Sequence, residues 1–183
     1  LCVCRLVPYK RVDLVVRACA ALNLPLVVVG DGPDRKRLEA IAKTNTRFLG
    51  YCPAAEVEQL MARCRAYVFA GVEDFGIAPV EAMAAGAPVI GLGRGGLRDS
   101  VLCIKENAAT ATGLLFPDQE LASLQAALAA FEDGQLWRLL PAERLRCHAE
   151  TFAPQVFRTR LQLLLQKLWD SHNHDPFAAV PVV

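Results

Sequence analysis

Short apolar runs alternate with amphipathic stretches along the first two thirds of the chain. Runs at 1–6, 25–29, 47–51, 66–70, 88–90 and 113–116 have the length of strands. Within them Leu26-Val27-Val28-Val29 and Tyr67-Val68-Phe69 offer no polar alternate position, the pattern of a parallel strand covered on both faces. Between the runs the apolar spacing turns helical. Val12, Val15, Val16, Cys19 and Leu22 predict a helix over 11–22, and Val57, Leu60, Met61 and Cys64 predict one over 54–64. Shorter helices are predicted over 34–42, opened by Pro33, and from Pro79 through Glu81 to Ala85, ended by Gly86. After Phe116 the pattern is helical only, over 121–132, 136–150 and 154–169, with an apolar stripe at Val156, Phe157, Leu161, Leu164, Leu165 and Leu168 in the last. Residues 171–183 read as a loose tail. About six strands alternating with about six helices predict an α/β fold, a Rossmann-like doubly wound parallel sheet with carboxyl-terminal helices.

Composition narrows the classes. The 183 residues suffice for one substantial core, taken as a single domain over 1–170, and 54% are apolar. Twenty Lys and Arg against 19 Asp and Glu leave a net charge of +1, which argues against nucleic acid as a partner. The apolar stretch at 24–29 is far too short to span a bilayer. Seven cysteines, an odd number with no CxxC pair, read as reduced and structural, hence a reducing, cytoplasmic compartment. His172 and His174 read as solvated residues, not metal ligands. Leu1-Cys2-Val3-Cys4 is already a buried-type strand, so further sequence is expected before it.

The chemistry gathers just after the strands, where parallel sheets bind ligands. Arg5 and Lys10 follow the first strand, and two cations at a crevice mouth suit a diphosphate; solvated surface cations are the plainer alternative. Gly30-Asp31-Gly32-Pro33 follows the second. It lacks the third glycine of a dinucleotide fingerprint, because Arg35 stands in that place, and it reads as a tight turn letting backbone approach a ligand. After the fourth come Glu73, Asp74, Phe75 and Gly76, then a helix start at Ile77 whose free N–H groups favour an anion, with Glu81 one turn on. Solvated acids at a helix start are the alternative here. Gly95-Gly96 lies in a glycine-rich turn after the fifth, suited to cup a phosphate or sugar hydroxyls, or simply flexible.

Glu73-Asp74-Phe75-Gly76-Ile77, with Glu81 eight positions after Glu73, resembles the paired-glutamate motif of the retaining family 4 glycosyltransferases of GT-B architecture. Arg5 and Lys10 are similar to that family's diphosphate signature, with Cys4 where Gly or Ser is usual. The 30–33 turn and Gly95-Gly96, here followed by Asp99 in place of Glu, complete the family's order. The resemblance implies a nucleotide-sugar donor, GDP-mannose by the Glu-Asp-Phe-Gly-Ile wording, and a glycan or lipid-linked acceptor. It implies that Arg5, Lys10 and the helix start stabilise the leaving diphosphate, that Glu73 orients the sugar and that Glu81 holds the ribose. Gly30, Gly32, Phe75, Gly76, Ile77, Gly95 and Gly96 would line the donor, and Tyr51 and Cys52 would neighbour the base. Tyr51 has an ordinary half-buried tyrosine as its alternative. No cofactor or metal is implied, in keeping with the lack of an Asp-x-Asp motif. An amino-terminal acceptor domain would precede this one, and without it the chain is expected to transfer little; that domain is also the route by which a membrane surface would be reached. A non-catalytic nucleotide-binding module is the competing class.

Overall fold

A computed structural model describes residues 1–174 of the chain. Residues 1–149 form one compact unit and the chain from Glu150 a second.

The first unit contains strands β1 (Cys2–Val3), β2 (Leu26–Val29), β3 (Thr46–Gly50), β4 (Tyr67–Phe69), β5 (Val89–Leu92) and β6 (Gly113–Phe116). All paired strands are parallel, in two ladders ordered β1-β2-β3 and β4-β5-β6. The ladders meet at β1 and β4: Val68 N–H donates to the Leu1 carbonyl at 2.8 Å, and the Tyr67 hydroxyl donates to the Val3 carbonyl at 2.8 Å. The strand order is therefore β3-β2-β1-β4-β5-β6, with its reversal between β1 and β4, the arrangement that opens a crevice at the carboxyl ends of those two strands.

Helices α1 (Val12–Ala21), α2 (Arg35–Ile41), α3 (Ala54–Arg63), α4 (Ile77–Ala85), α5 (Leu97–Ser100), α6 (Leu121–Asp133) and α7 (Ala142–Glu150) supply the crossovers and cover. α1 packs on α2 and α6, and α3 packs on α4. Right-handed crossovers leaving the reversal point in opposite directions put these two groups on opposite faces of the sheet. Val15, Val16 and Ala18 of α1, Val28 of β2, Tyr67 of β4 and Leu114 of β6 are fully buried between the layers.

Local chemistry sets the element ends. Gly76 (φ 89°) and Gly86 (φ 93°) bracket α4 in left-handed conformations that favour glycine. The helix expected over 136–150 is two pieces, a 3-10 turn at Leu136–Leu139 and α7, because Pro141 has no N–H to continue the ladder and holds Leu140 out of the helical region. The glycine-rich turn after β5 contains the one-turn helix α5.

In the second unit, α8 runs Pro154–His174, so 171–174 are helical, and the remainder of the expected tail lies outside the described residues. Its apolar stripe is exposed at Phe157, Leu161, Leu164 and Leu165 and half-buried at Val156 and Leu168. Among the described residues no helix is long and apolar enough to cross a membrane.

Candidate functional site

The crevice at the β1/β4 reversal is a cavity of about 410 Å³ whose lining includes Arg5, Lys10, Glu73, Phe75, Gly76 and Ile77. Two chain segments far apart in sequence build it. The loop after β1 turns through a 3-10 element at Pro8–Lys10, and Arg11 closes it at φ 51°. The loop after β4 lies against it because Gly71 has no side chain; a Cβ there would lie 3.1 Å from the Lys10 Cα. The result is an ion pair between Lys10 Nζ and Glu73 Oε1, with the lysine side chain 15% and the glutamate 25% exposed. The same ammonium lies 5.1 Å from the Tyr9 ring centroid and 5.7 Å from that of Phe69, close enough for the ring faces to favour a cation. Arg5 is exposed at the rim.

Opposite the cations, α4 begins at Gly76. The first N–H groups of an α-helix have no carbonyl within the helix to receive them. Those of Ile77 and Ala78 therefore add partial positive charge on this wall. A cavity with an arginine, a paired lysine and an open helix start attracts an anion with several oxygens, and the carboxylates of Glu73 and Asp74 give it acceptors for hydroxyl groups.

The other residues singled out from the sequence fall outside this lining. Gly30 and Gly32 face the backbone of the β1 loop: a Cβ would lie 1.9 Å from the Cys4 carbonyl oxygen at Gly30 and 2.2 Å from that of Leu6 at Gly32. They let the 30–33 turn clamp the segment that holds Arg5, and Leu6 N–H donates to the Asp31 carbonyl at 2.9 Å across the contact. Gly95 and Gly96 do the same for the acid loop. There a Cβ would come within 2.3 Å of the Glu73 carbonyl oxygen and 2.4 Å of that of Asp74 respectively. Tyr51 is 85% exposed on the turn after β3, not half-buried, while Cys52 beside it is buried. Glu81 is exposed and lines a neighbouring groove of about 430 Å³ between α3 and α4, with Ala54, Val57, Glu58 and Met61.

Tyr67 escaped the sequence reading. Burial pushes its phenol well above the ordinary value, and the neighbouring ionisable groups of Cys2, Cys4 and Glu81 add to the effect. It lines the Lys10 cavity and lies within electrostatic reach of Glu81, and α4 borders both the cavity, through Ile77 to Pro79, and the groove, through Glu81 to Ala85. A tyrosine inside an otherwise apolar strand, needing a partner for its hydroxyl, was the available signal. A further cavity of about 400 Å³ lies at the opposite, amino-terminal edges of the strands, against Leu1, Leu26 and Ala66, where Arg65 and Glu132 are already paired.

Known proteins resemble this chain in sequence and in fold. A mannosyltransferase of Mycobacterium tuberculosis described as GDP-mannose-dependent is 37% identical over 114 residues, which are 62% of this chain and 28% of that protein. A Corynebacterium glutamicum enzyme, a GDP-mannose-dependent monoacylated alpha-(1-6)-phosphatidylinositol monomannoside mannosyltransferase, is 29% identical over 90% of this chain and 46% of its own length. The chain thus spans less than half of these curated relatives. Among solved structures, sucrose-phosphate synthase from Thermosynechococcus elongatus superposes with a TM-score of 0.76 at 23% identity, over 93% of this chain and 46% of that one. The Anabaena HepE protein in complex with UDP and glucose gives 0.73 at 22% identity, over 91% and 48%. These likenesses carry the fold, that of half a GT-B glycosyltransferase. The family of group 1 glycosyl transferases matches residues 1–149, the whole of the first compact unit, and the chain belongs to that family.

Proposed function

We propose that residues 1–149 bind the nucleotide-sugar donor of a retaining glycosyltransferase, with GDP-mannose as the donor and a glycan or lipid-linked hydroxyl as the acceptor. The observation that carries the reading is the Lys10–Glu73 pair, set in one cavity with Arg5 and the start of α4. It supplies a cation for phosphate and an acid for sugar hydroxyls side by side.

In this reading Arg5, Lys10 and the Ile77 and Ala78 amides hold the diphosphate. As the bond from the sugar's anomeric carbon to the β-phosphate oxygen breaks, charge grows on that oxygen, and groups already oriented toward it lower the barrier. The acceptor oxygen bonds the anomeric carbon on the face the leaving group vacates, and its proton passes to the departing diphosphate. Glu73 accepts hydrogen bonds from sugar hydroxyls. Glu81, on the adjoining groove, takes the ribose hydroxyls, and the turn at Tyr51 and Cys52 borders the base. Charge neutralisation by side chains and amides accounts for diphosphate binding without a metal ion.

GDP-mannose is favoured because both mannosyltransferase relatives above are described as dependent on it. The chain spans 46% of the second, and acceptor binding is assigned to a further domain, so the chain by itself is expected to bind donor and transfer little. Calorimetry with GDP, GDP-mannose, UDP and UDP-glucose tests the reading. Saturable binding that is tightest for the guanosine compounds supports it, and no binding of any of the four ends it.

A further inference from the structure

The two loops that bring Lys10 and Glu73 together are tied to each other by a third, the segment between β6 and α6. Pro117, Asp118 and Glu120 of that segment are exposed, but Gln119 is half-buried. Its Nε2 donates to the carbonyl of buried Ala70 at 2.9 Å, at the carboxyl end of β4 and one residue before Gly71. Its Oε1 accepts from Arg11 Nη1 at 3.4 Å, in the residue after Lys10. A carbonyl only accepts and a guanidinium only donates, so these two partners fix which way the amide points. Glutamate has no proton for Ala70, methionine serves neither partner, and asparagine is one methylene shorter. Arg11 itself needs holding. Its backbone is left-handed at φ 51°, a conformation that costs energy in a residue with a side chain and persists only where its surroundings impose it. Arg11 Nε also donates to Asp13 Oδ1 at 3.2 Å, and Asp13 is buried in the first turn of α1. The guanidinium is thus pinned from two sides, by α1 and by Gln119.

We propose that Gln119 is a positioning residue for the Lys10–Glu73 pair. By bonding Arg11 and Ala70 at once, it locks the loop that carries the lysine to the loop that carries the acid. Neither Gln119 nor Arg11 is part of the cavity lining, so both act through the pair. The consequence for a nucleoside diphosphate rests on the donor reading above: with the brace gone, the ammonium is no longer held where the phosphate oxygens need it.

The test is amide hydrogen exchange on the full chain, parent against Gln119→Met, which keeps the length of the side chain and removes both bonds. The Arg11 amide, bonded to the Pro8 carbonyl, reports on the lysine loop, and that of Gly96, bonded to the Glu73 carbonyl, on the acid loop. Both should exchange about tenfold faster in the variant, while the Leu26 amide at the start of β2 keeps the parent rate. Unchanged rates at Arg11 and Gly96 overturn the proposal, and so does an equal rise at all three amides, the mark of a residue that serves overall stability alone. Gln119→Glu keeps the acceptor for Arg11 and loses the donor for Ala70, so it should free Gly96 more than Arg11; it decides the matter if Gln119→Met does not fold. Calorimetry with GDP then separates the two readings. Gln119→Met should weaken GDP by about three- to tenfold and have no further effect in a Lys10→Ala background. Loosened loops with GDP bound as tightly as by the parent uphold the brace and remove the pair from donor binding.

Discussion

Gly96 donates its amide N–H to the carbonyl of Glu73 at 2.8 Å, so the loop that presents the acid rests on bare backbone from the turn after β5. With Gly95 at φ 63° and a Cβ at either glycine driven into a carbonyl oxygen, side chains there are excluded by space and, at Gly95, by conformation. Gly96→Ala should therefore displace the acid loop and cost about 1–3 kcal/mol. For a chain of this size that is roughly 2–4 °C of melting temperature per kcal/mol. Thermal unfolding checks it, and a melting temperature equal to that of the parent would mean that the loop yields freely.

Lys10→Ala removes the cation and leaves Glu73 unpaired in the same cavity. Loss of a charge-assisted bond to phosphate is worth about 1.5–3 kcal/mol, so GDP affinity should fall roughly ten- to a hundredfold. Titration calorimetry measures this directly; binding as tight as the parent's would remove Lys10 from the diphosphate.

The two glutamates should separate by ligand. Glu81→Ala is expected to weaken GDP and GDP-mannose alike by about tenfold, one hydrogen-bonded interaction to the ribose. Glu73→Ala should weaken GDP-mannose and leave GDP within about twofold. Equal losses for both ligands in both variants would contradict the division of roles.

Alkaline pH should destabilise the fold. Burial raises Cys19 to about 11 in the folded chain, against about 8.5 for a free thiol, and burial also raises Tyr67. A folded value above the unfolded one means that the stabilisation is complete below about pH 8.5 and is lost as pH rises through the folded value near 11. Each such group contributes a slope of at most about 1.4 kcal/mol per pH unit. Urea unfolding between pH 8 and 11 should show the decline, and Cys19→Ala should make it shallower; an unchanged slope in that variant would exclude Cys19 as a source.

The order of elements was settled by the sequence alone. Apolar runs with no polar alternate position can be stable only when covered on both faces, and the intervening periods of 3.6 supply the cover, so a parallel α/β sheet follows from local pattern. The glycine at 86 marked the end of α4 for the same reason, since a conformation with positive φ is a local property. What each loop does once folded was left to the tertiary structure. Gly30 and Gly32 read as letting backbone approach a ligand, and Gly95 and Gly96 as cupping one or as simply flexible; only the folded chain shows the carbonyls packed against all four. Likewise, Lys10 and Glu73 lie 63 positions apart, and their pairing exists because strand order places β1 beside β4. Sequence periodicity specifies which face of an element is apolar; which elements become neighbours depends on how those faces are buried together.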